Sequence, residues 1–285
     1  MPSSEKKTEW VIEAKSSYFD LNLKELLSYH HLLFRLVKKE FLVNYQQTLL
    51  GPLWVLFQPV ITTITYVFVF SHVIGVAIGG KLPPVLFYFA GIVLWNFFND
   101  SFAASSKIFR DNIHIFSKVY FPRLIVPFAL IITQFFRFLI QLALLVLILA
   151  YFIIFMGFEV AFTWYLVALP LVLLAVGMIS LSIGLLFSIV TAKYRDLANF
   201  VDILIRILLF ITPVIYPLSA VKPNIRWVVQ LNPLTSLFEL FRLGLLGQGT
   251  VAPSQLLYSI AFTIVSLLAA ILLFNKQGGK LIDII

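Results

Sequence analysis

The sequence predicts an all-α integral membrane protein with six transmembrane helices, and three observations carry that prediction. The 285 residues are 61% hydrophobic and only 12% charged, with a mean hydropathy of +0.99, more apolar surface than a soluble chain of this length can hide. Six segments supply the roughly 20 mainly apolar residues that cross a hydrocarbon core of about 30 Å: 50–74, 85–104, 124–156, 164–190, 197–218 and 256–274. In that arrangement, fifteen of the 21 Lys and Arg fall on one side, four on the other and two inside spans. Excess Lys and Arg mark the cytoplasmic face, so both termini are expected there.

Taken in order, residues 1–49 form a cytoplasmic arm and an amphipathic helix. The start, MPSSEKKTEWVIEAKSSYFD, has four acidic residues and no apolar core, and reads as a solvated arm rather than a cleaved signal peptide. Leu23, Leu26, Leu27, His30, Phe34, Val37 and Phe41 then recur at helical spacing, with Lys24, Glu25, His31, Arg35 and Lys38 elsewhere around the helix. Such a helix lies along the membrane surface until Gly51-Pro52 turns the chain into the first span. One reading has it hold lipid phosphates; the other makes Phe34, Arg35, Lys38 and Phe41 an interface.

A six-span domain follows over 50–275, with a tail at 276–285. The third span has 33 residues, about 50 Å of helix, so its first turns are expected to project from the bilayer. Between spans five and six, Asn232-Pro233 cuts an apolar run into two short helices over 224–246, read as a pair dipping into the outer leaflet. A seventh span there would bury Arg226, Glu239 and Arg242, and the cost of charges in lipid disfavours it.

One polar stretch interrupts the apolar chain: SKIFRDNIHIFSKVYFPRLIVP, from Ser106 to Pro127. On a helix over 107–120, Phe109, Ile113, Phe116 and Tyr120 share one face, while Lys107, Arg110, Asp111, His114 and Lys118 share another. It is tied closely to spans two and three, so force on it would move both. Its aromatic residues suit a partner's pocket and its basic residues would orient that partner.

Four charges fall inside spans: Asp100, Arg137, Asp202 and Arg206. Residues of this kind face other helices or a water-filled path. Either Asp202 pairs with Arg206 and Asp100 with Arg137, fastening helices, or an arginine is free to grip an anionic headgroup. Among the aromatic residues, Trp54, Phe57, Tyr66, Trp95 and Tyr216 are candidates to line a path and stack on sugar rings, with anchoring and packing as the alternative.

Several chemistries are excluded. No cysteine is present, which removes disulfides, cysteine-zinc sites and thiol nucleophiles. No GxxxxGK[ST] occurs, so the chain does not cradle nucleotide phosphates. Scattered histidines and unpaired carboxylates give no metal or hydrolytic site. No second half resembling the first is visible, which disfavours a secondary transporter.

Five stretches, LLGPLWVLFQP (49–59), KVYFPRLIVP (118–127), KYRDL (193–197), ITPVIYP (211–217) and LNPLTSLFELFR (231–242), together resemble the ABC-2 type permeases that export bacterial polysaccharides such as O-antigen, capsule and teichoic acid. The resemblance implies a non-enzymatic transport subunit in the bacterial cell membrane that forms a homodimer around a channel. It implies two copies of a separate ATPase subunit, which would hold ATP and Mg, and a cargo built on polyprenyl pyrophosphate or another lipid carrier. The helix before span one is then similar to the family's interface helix, 107–120 to its coupling helix, and 224–246 to its outer capping helices. An exporter of a small drug or lipid with the same fold, and a membrane scaffold for glycan synthesis with no ATPase, are the competing readings. Nucleic acid is not among the expected partners.

Overall fold

In the computed structural model, residues 28–43, 45–76, 78, 82–112, 122, 124–160, 164–194 and 196–284 are described, with backbone alone for 275 and 277–284. Every regular element among them is helical. The protein is an all-α integral membrane protein. Five helices are long and apolar enough to cross a membrane: Gly51–Val73, Pro84–Ser106, Ile125–Met156, Trp164–Lys193 and Pro253–Phe274.

Helix α1 (His30–Val43) lies against the long helix α5 (Ile125–Met156). Its inward face is Leu32, Leu33, Leu36 and Val37, one step around from the stripe that the sequence suggested. Phe34 consequently stands 63% exposed. Gly51, at φ 53°, supplies the left-handed turn into the first span.

That span is α2 (Trp54–Tyr66), continued by a π-helical stretch, Val67–Val73. Pro59 sits inside it and has no N–H to offer the Val55 carbonyl one turn earlier. The missing donor comes from another helix: Gln141 Nε2 of α5 donates to Val55 O at 3.2 Å. Asn96 Nδ2 of the next span donates in turn to Gln141 Oε1 at 3.3 Å. A proline defect is thus converted into a polar tie across three helices.

Helix α3 (Pro84–Ser106) is the core of the bundle. Through Trp95 it is apolar on all sides, as a helix surrounded by other helices must be, with Asn96, Asn99 and Asp100 following on one face, and Leu86, Phe89, Leu94, Phe98 and Phe102 are all buried. It packs on α2, α5 and α6 (Leu169–Lys193). Gly184 lets α6 approach until a Cβ there would collide with Ser105, and Thr191 Oγ1 donates to Ser106 O at 2.6 Å; small residues and hydroxyls of this kind hold membrane helices together. The four-residue helix α4 (Ile108–Asp111) follows α3.

Helix α5 has 32 residues, about 48 Å, so it outreaches the bilayer as expected. The fifth predicted span is shorter than the sequence suggested. Helix α7 (Leu197–Ile211) has 15 residues, about 22 Å, and does not run on to 218. Thr212 precedes Pro213 and is forced to ψ 138°, because the proline ring clashes with a helical residue before it.

Beyond it, α8 (Pro223–Gln230) and α9 (Leu234–Leu246) form the expected broken pair, and Asn232 Oδ1 accepts the Leu234 N–H at the break (3.0 Å). They differ in depth. Ile225 and Trp227 of α8 are exposed, whereas almost all of α9 is buried among α3, α6 and α10 (Pro253–Ile284). Helix α10 runs along α6 and continues to Ile284.

Candidate functional site

The polar interruption builds a corner where α3 ends. Lys107 Nζ donates to Asp202 Oδ1 of α7 at 2.9 Å. Ile108 and Phe109 point into the bundle, and the Phe109 ring stacks on Phe274 of α10 with centroids 4.9 Å apart. Phe109 is therefore spent on the protein's own core and is not on a docking face, contrary to the helical-face reading. Arg110 and Asp111 remain outside and pair with each other at 2.8 Å. Ile113, His114, Phe116 and Lys118 lie outside the described residues.

The corner joins three helices: α3 through the chain, α7 through Lys107–Asp202 and α10 through Phe109–Phe274. Helix α7 meets Lys107 at Asp202, in its second turn, and its far end leads to Val214 beside Gly91, where a Cβ would meet the Val214 carbonyl at 2.8 Å. It therefore runs antiparallel to α3, from the corner to the opposite end of the bundle.

At that opposite end lies a constellation that the sequence did not reveal. Arg242 of α9 is 2% exposed. Its Nη1 and Nη2 donate to the carbonyls of Pro213 and Val214 at 2.6 and 2.7 Å, two acceptors that lie just past the proline break of α7. The guanidinium rests on the Phe87 ring, 3.9 Å from its centroid, and lies 3.8 Å from Glu239 Oε1. Glu239 accepts from the backbone N–H groups of Leu218 (3.3 Å) and Thr250 (2.9 Å). One buried pair thus gathers α3, the end of α7, α9 and the turn before α10. Burial of Glu239 and Arg242, the cost held against a seventh span, is offset here inside a short helix by partners for both Glu239 oxygens and both Arg242 Nη groups, while Arg242 Nε stays buried without a hydrogen bond. The i, i+3 acid–base pair in an otherwise apolar helix was the available signal.

Of the two alternatives for the intramembrane charges, the helix-fastening pairs are not the ones formed. Asp202 takes Lys107, leaving Arg206 exposed on α7. Asp100 accepts from Asn99 Nδ2 at 2.8 Å. Arg137 donates to Gln134 Oε1 at 3.2 Å and lies over the Tyr45 ring at 5.3 Å. Lys107–Asp202, Arg110–Asp111 and Glu239–Arg242 form ion pairs, and neither Asp100–Arg137 nor Asp202–Arg206 does.

The aromatic candidates divide by position. Trp95 is buried against Phe98, and the Tyr216 hydroxyl caps the end of α7 by donating to the Phe210 and Ile211 carbonyls at 2.9 and 3.1 Å. Both are structural within one copy of the chain. Tyr66 packs edge-on against Phe70 and Tyr88. Trp54 and Phe57 stand 43% and 47% exposed, edge-to-face with each other. Arg35 and Lys38 are exposed on α1, while Phe41 is partly covered. No group of three or more His, Asp or Glu suited to a metal ion occurs among the described residues.

Comparison with known proteins gives this geometry a context. Residues 31–246 match the family described as ABC-2 type transporter. An O-antigen export system permease protein, RfbA, of Klebsiella pneumoniae is 26% identical over 270 residues, 93% of this chain and 99% of the relative. The protein of that name from Myxococcus xanthus is 26% identical over 258 residues, 90% of this chain and 95% of the relative. The family match runs from α1 through α9 and takes in the corner, the α7 break and the Arg242 pair; the chain belongs to the ABC-2 type transporter family.

Proposed function

We propose that this chain is the membrane-spanning subunit of an ATP-driven exporter that carries a lipid-linked polysaccharide of O-antigen type across the bacterial cell membrane. The observation that carries the reading is the end-to-end match to O-antigen export permeases, which covers 93% of this chain and 99% of the relative. ATP hydrolysis belongs to a separate ABC subunit, as the family implies, and two copies of this chain would enclose the path. In this reading both termini and the Lys107 corner face the cytoplasm, which the excess of Lys and Arg supports, and α7 together with residues 212–217 counts as the sixth crossing.

The corner supplies the mechanism. An ATPase pressing on 110–120 would move α3 directly, α7 through Lys107–Asp202 and α10 through Phe109–Phe274. Helix α7 carries the displacement to Pro213 and Val214, where Arg242 hands it to α9 at the outer end. Arg206, exposed on the same helix, is the cation we assign to the cargo's phosphate, since guanidinium matches phosphate in a bidentate way. Trp54 and Phe57 are the aromatic pair available to a sugar ring or to the second copy.

The test is charge reversal, Arg110→Glu with Lys118→Glu. The account expects normal membrane insertion and ATPase activity no longer coupled to export, with lipid-linked glycan accumulating inside the cell. Unchanged surface glycan in that double variant would sink the assignment.

A further inference from the structure

An open apolar groove of about 710 Å³ runs between α1 and α5, lined by Phe34, Val37, Phe41 and Leu42 on one wall and Phe136, Leu139, Ile140 and Ala143 on the other, with Lys38 at its edge. It takes no part in the corner or in the Arg242 constellation. Two features of its walls say what suits it. The α5 wall belongs to a membrane-spanning helix, and Phe136 and Leu139 there are 45% and 38% exposed. The α1 wall belongs to an amphipathic helix whose Arg35, Lys38 and Lys39 are all exposed within five residues. Apolar depth beneath a cationic edge is complementary to an acyl chain ending in a phosphate.

We propose that this groove holds one anionic phospholipid, its acyl chain between Phe34 and Phe136 and its phosphate at Arg35 and Lys38. Phe34 is then accounted for: it is turned away from the bundle because it forms a wall for lipid. A glycan cargo would reach the same membrane face on a much larger lipid, but a groove lined by apolar side chains with Lys38 alone as its charged member provides nothing for a sugar. The proposal does not depend on what the protein exports.

The experiment is native mass spectrometry of the intact complex, stripped of its own lipids in mild detergent and titrated with equal amounts of phosphatidylglycerol and phosphatidylcholine of distinguishable mass. Retention of phosphatidylglycerol at least fivefold over phosphatidylcholine is expected, with Arg35→Glu/Lys38→Glu abolishing that preference. These two side chains are exposed, so the variant should fold normally. Ala143→Trp, which fills the groove, should lower retention of both lipids. Equal retention of the two lipids by the natural chain would overturn the proposal, as would a preference that survives the charge reversal. So would a lipid-linked glycan, or a second copy of the chain, displacing phosphatidylglycerol from the natural complex but not from the Ala143→Trp variant.

Discussion

Replacing Arg242 by methionine keeps much of the side-chain bulk and removes the guanidinium that binds α9 to the end of α7. Two charge-assisted hydrogen bonds, of 2.6 and 2.7 Å, are lost with it, as is the contact with the Phe87 ring. Bonds to charged groups contribute about 1.5–3 kcal/mol each in soluble proteins, and one-sided loss of a buried ion pair costs about 3–5 kcal/mol. Interhelical hydrogen bonds within membranes average nearer 0.6 kcal/mol, because chains unfolded in lipid find other partners. Glu239 keeps the Leu218 and Thr250 N–H groups, which limits the penalty of orphaning it. The balance is a loss of about 2–4 kcal/mol, read from unfolding of the purified protein in mixed micelles. Arg242→Lys separates charge from geometry: it still faces Glu239 but cannot span two carbonyls in one plane, so about half of that loss is expected. A loss below about 0.5 kcal/mol for the methionine variant, within the range of ordinary surface changes, would refute the claim that this side chain joins the two helices.

Three further outcomes follow from the packing. Gln141→Leu leaves the Val55 carbonyl without its donor and should cost about 1–2 kcal/mol; Pro59→Ala restores an N–H in α2, so the double variant should recover most of that cost in the same unfolding assay. Gly91→Ala puts a Cβ 2.6 Å from Arg242 Nη2 and 2.8 Å from the Val214 carbonyl, an overpacking expected to cost about 1–3 kcal/mol, with Gly91→Ser no better. Lys107→Ala should change stability by under about 1 kcal/mol, since its pair with Asp202 is partly exposed, yet reduce export severalfold; the exchange Lys107→Asp/Asp202→Lys should restore export, and no rescue would mean that the corner does not act through α7.

The elements that composition and helical period control were legible in the sequence: the long apolar spans, the amphipathic α1, the overlong α5, and the α8–α9 pair broken at Asn232-Pro233. What was not legible depended on which helix lies beside which. Phe109 has the spacing of a docking residue, and only the position of Phe274 makes it core. Asp202 and Arg206 are one turn apart, and helical spacing alone suggests a pair; Lys107, 95 positions away in the chain, takes Asp202 instead. The end of α7 was readable in Thr212-Pro213, but an apolar run continuing to Leu218 masked it. The pairing of Arg242 with the carbonyls at that break required both facts together: a proline that exposes acceptors and a buried arginine on a different helix.

The measurement that tests the central claim most directly is native mass spectrometry of the tagged chain, extracted in mild detergent from its own membranes with everything that stays bound. The account predicts two copies of this chain with two copies of a nucleotide-binding ABC subunit, and a lipid-linked glycan among the masses that co-purify. A chain recovered repeatedly without any ATPase, under conditions that keep other ABC exporters whole, would contradict it.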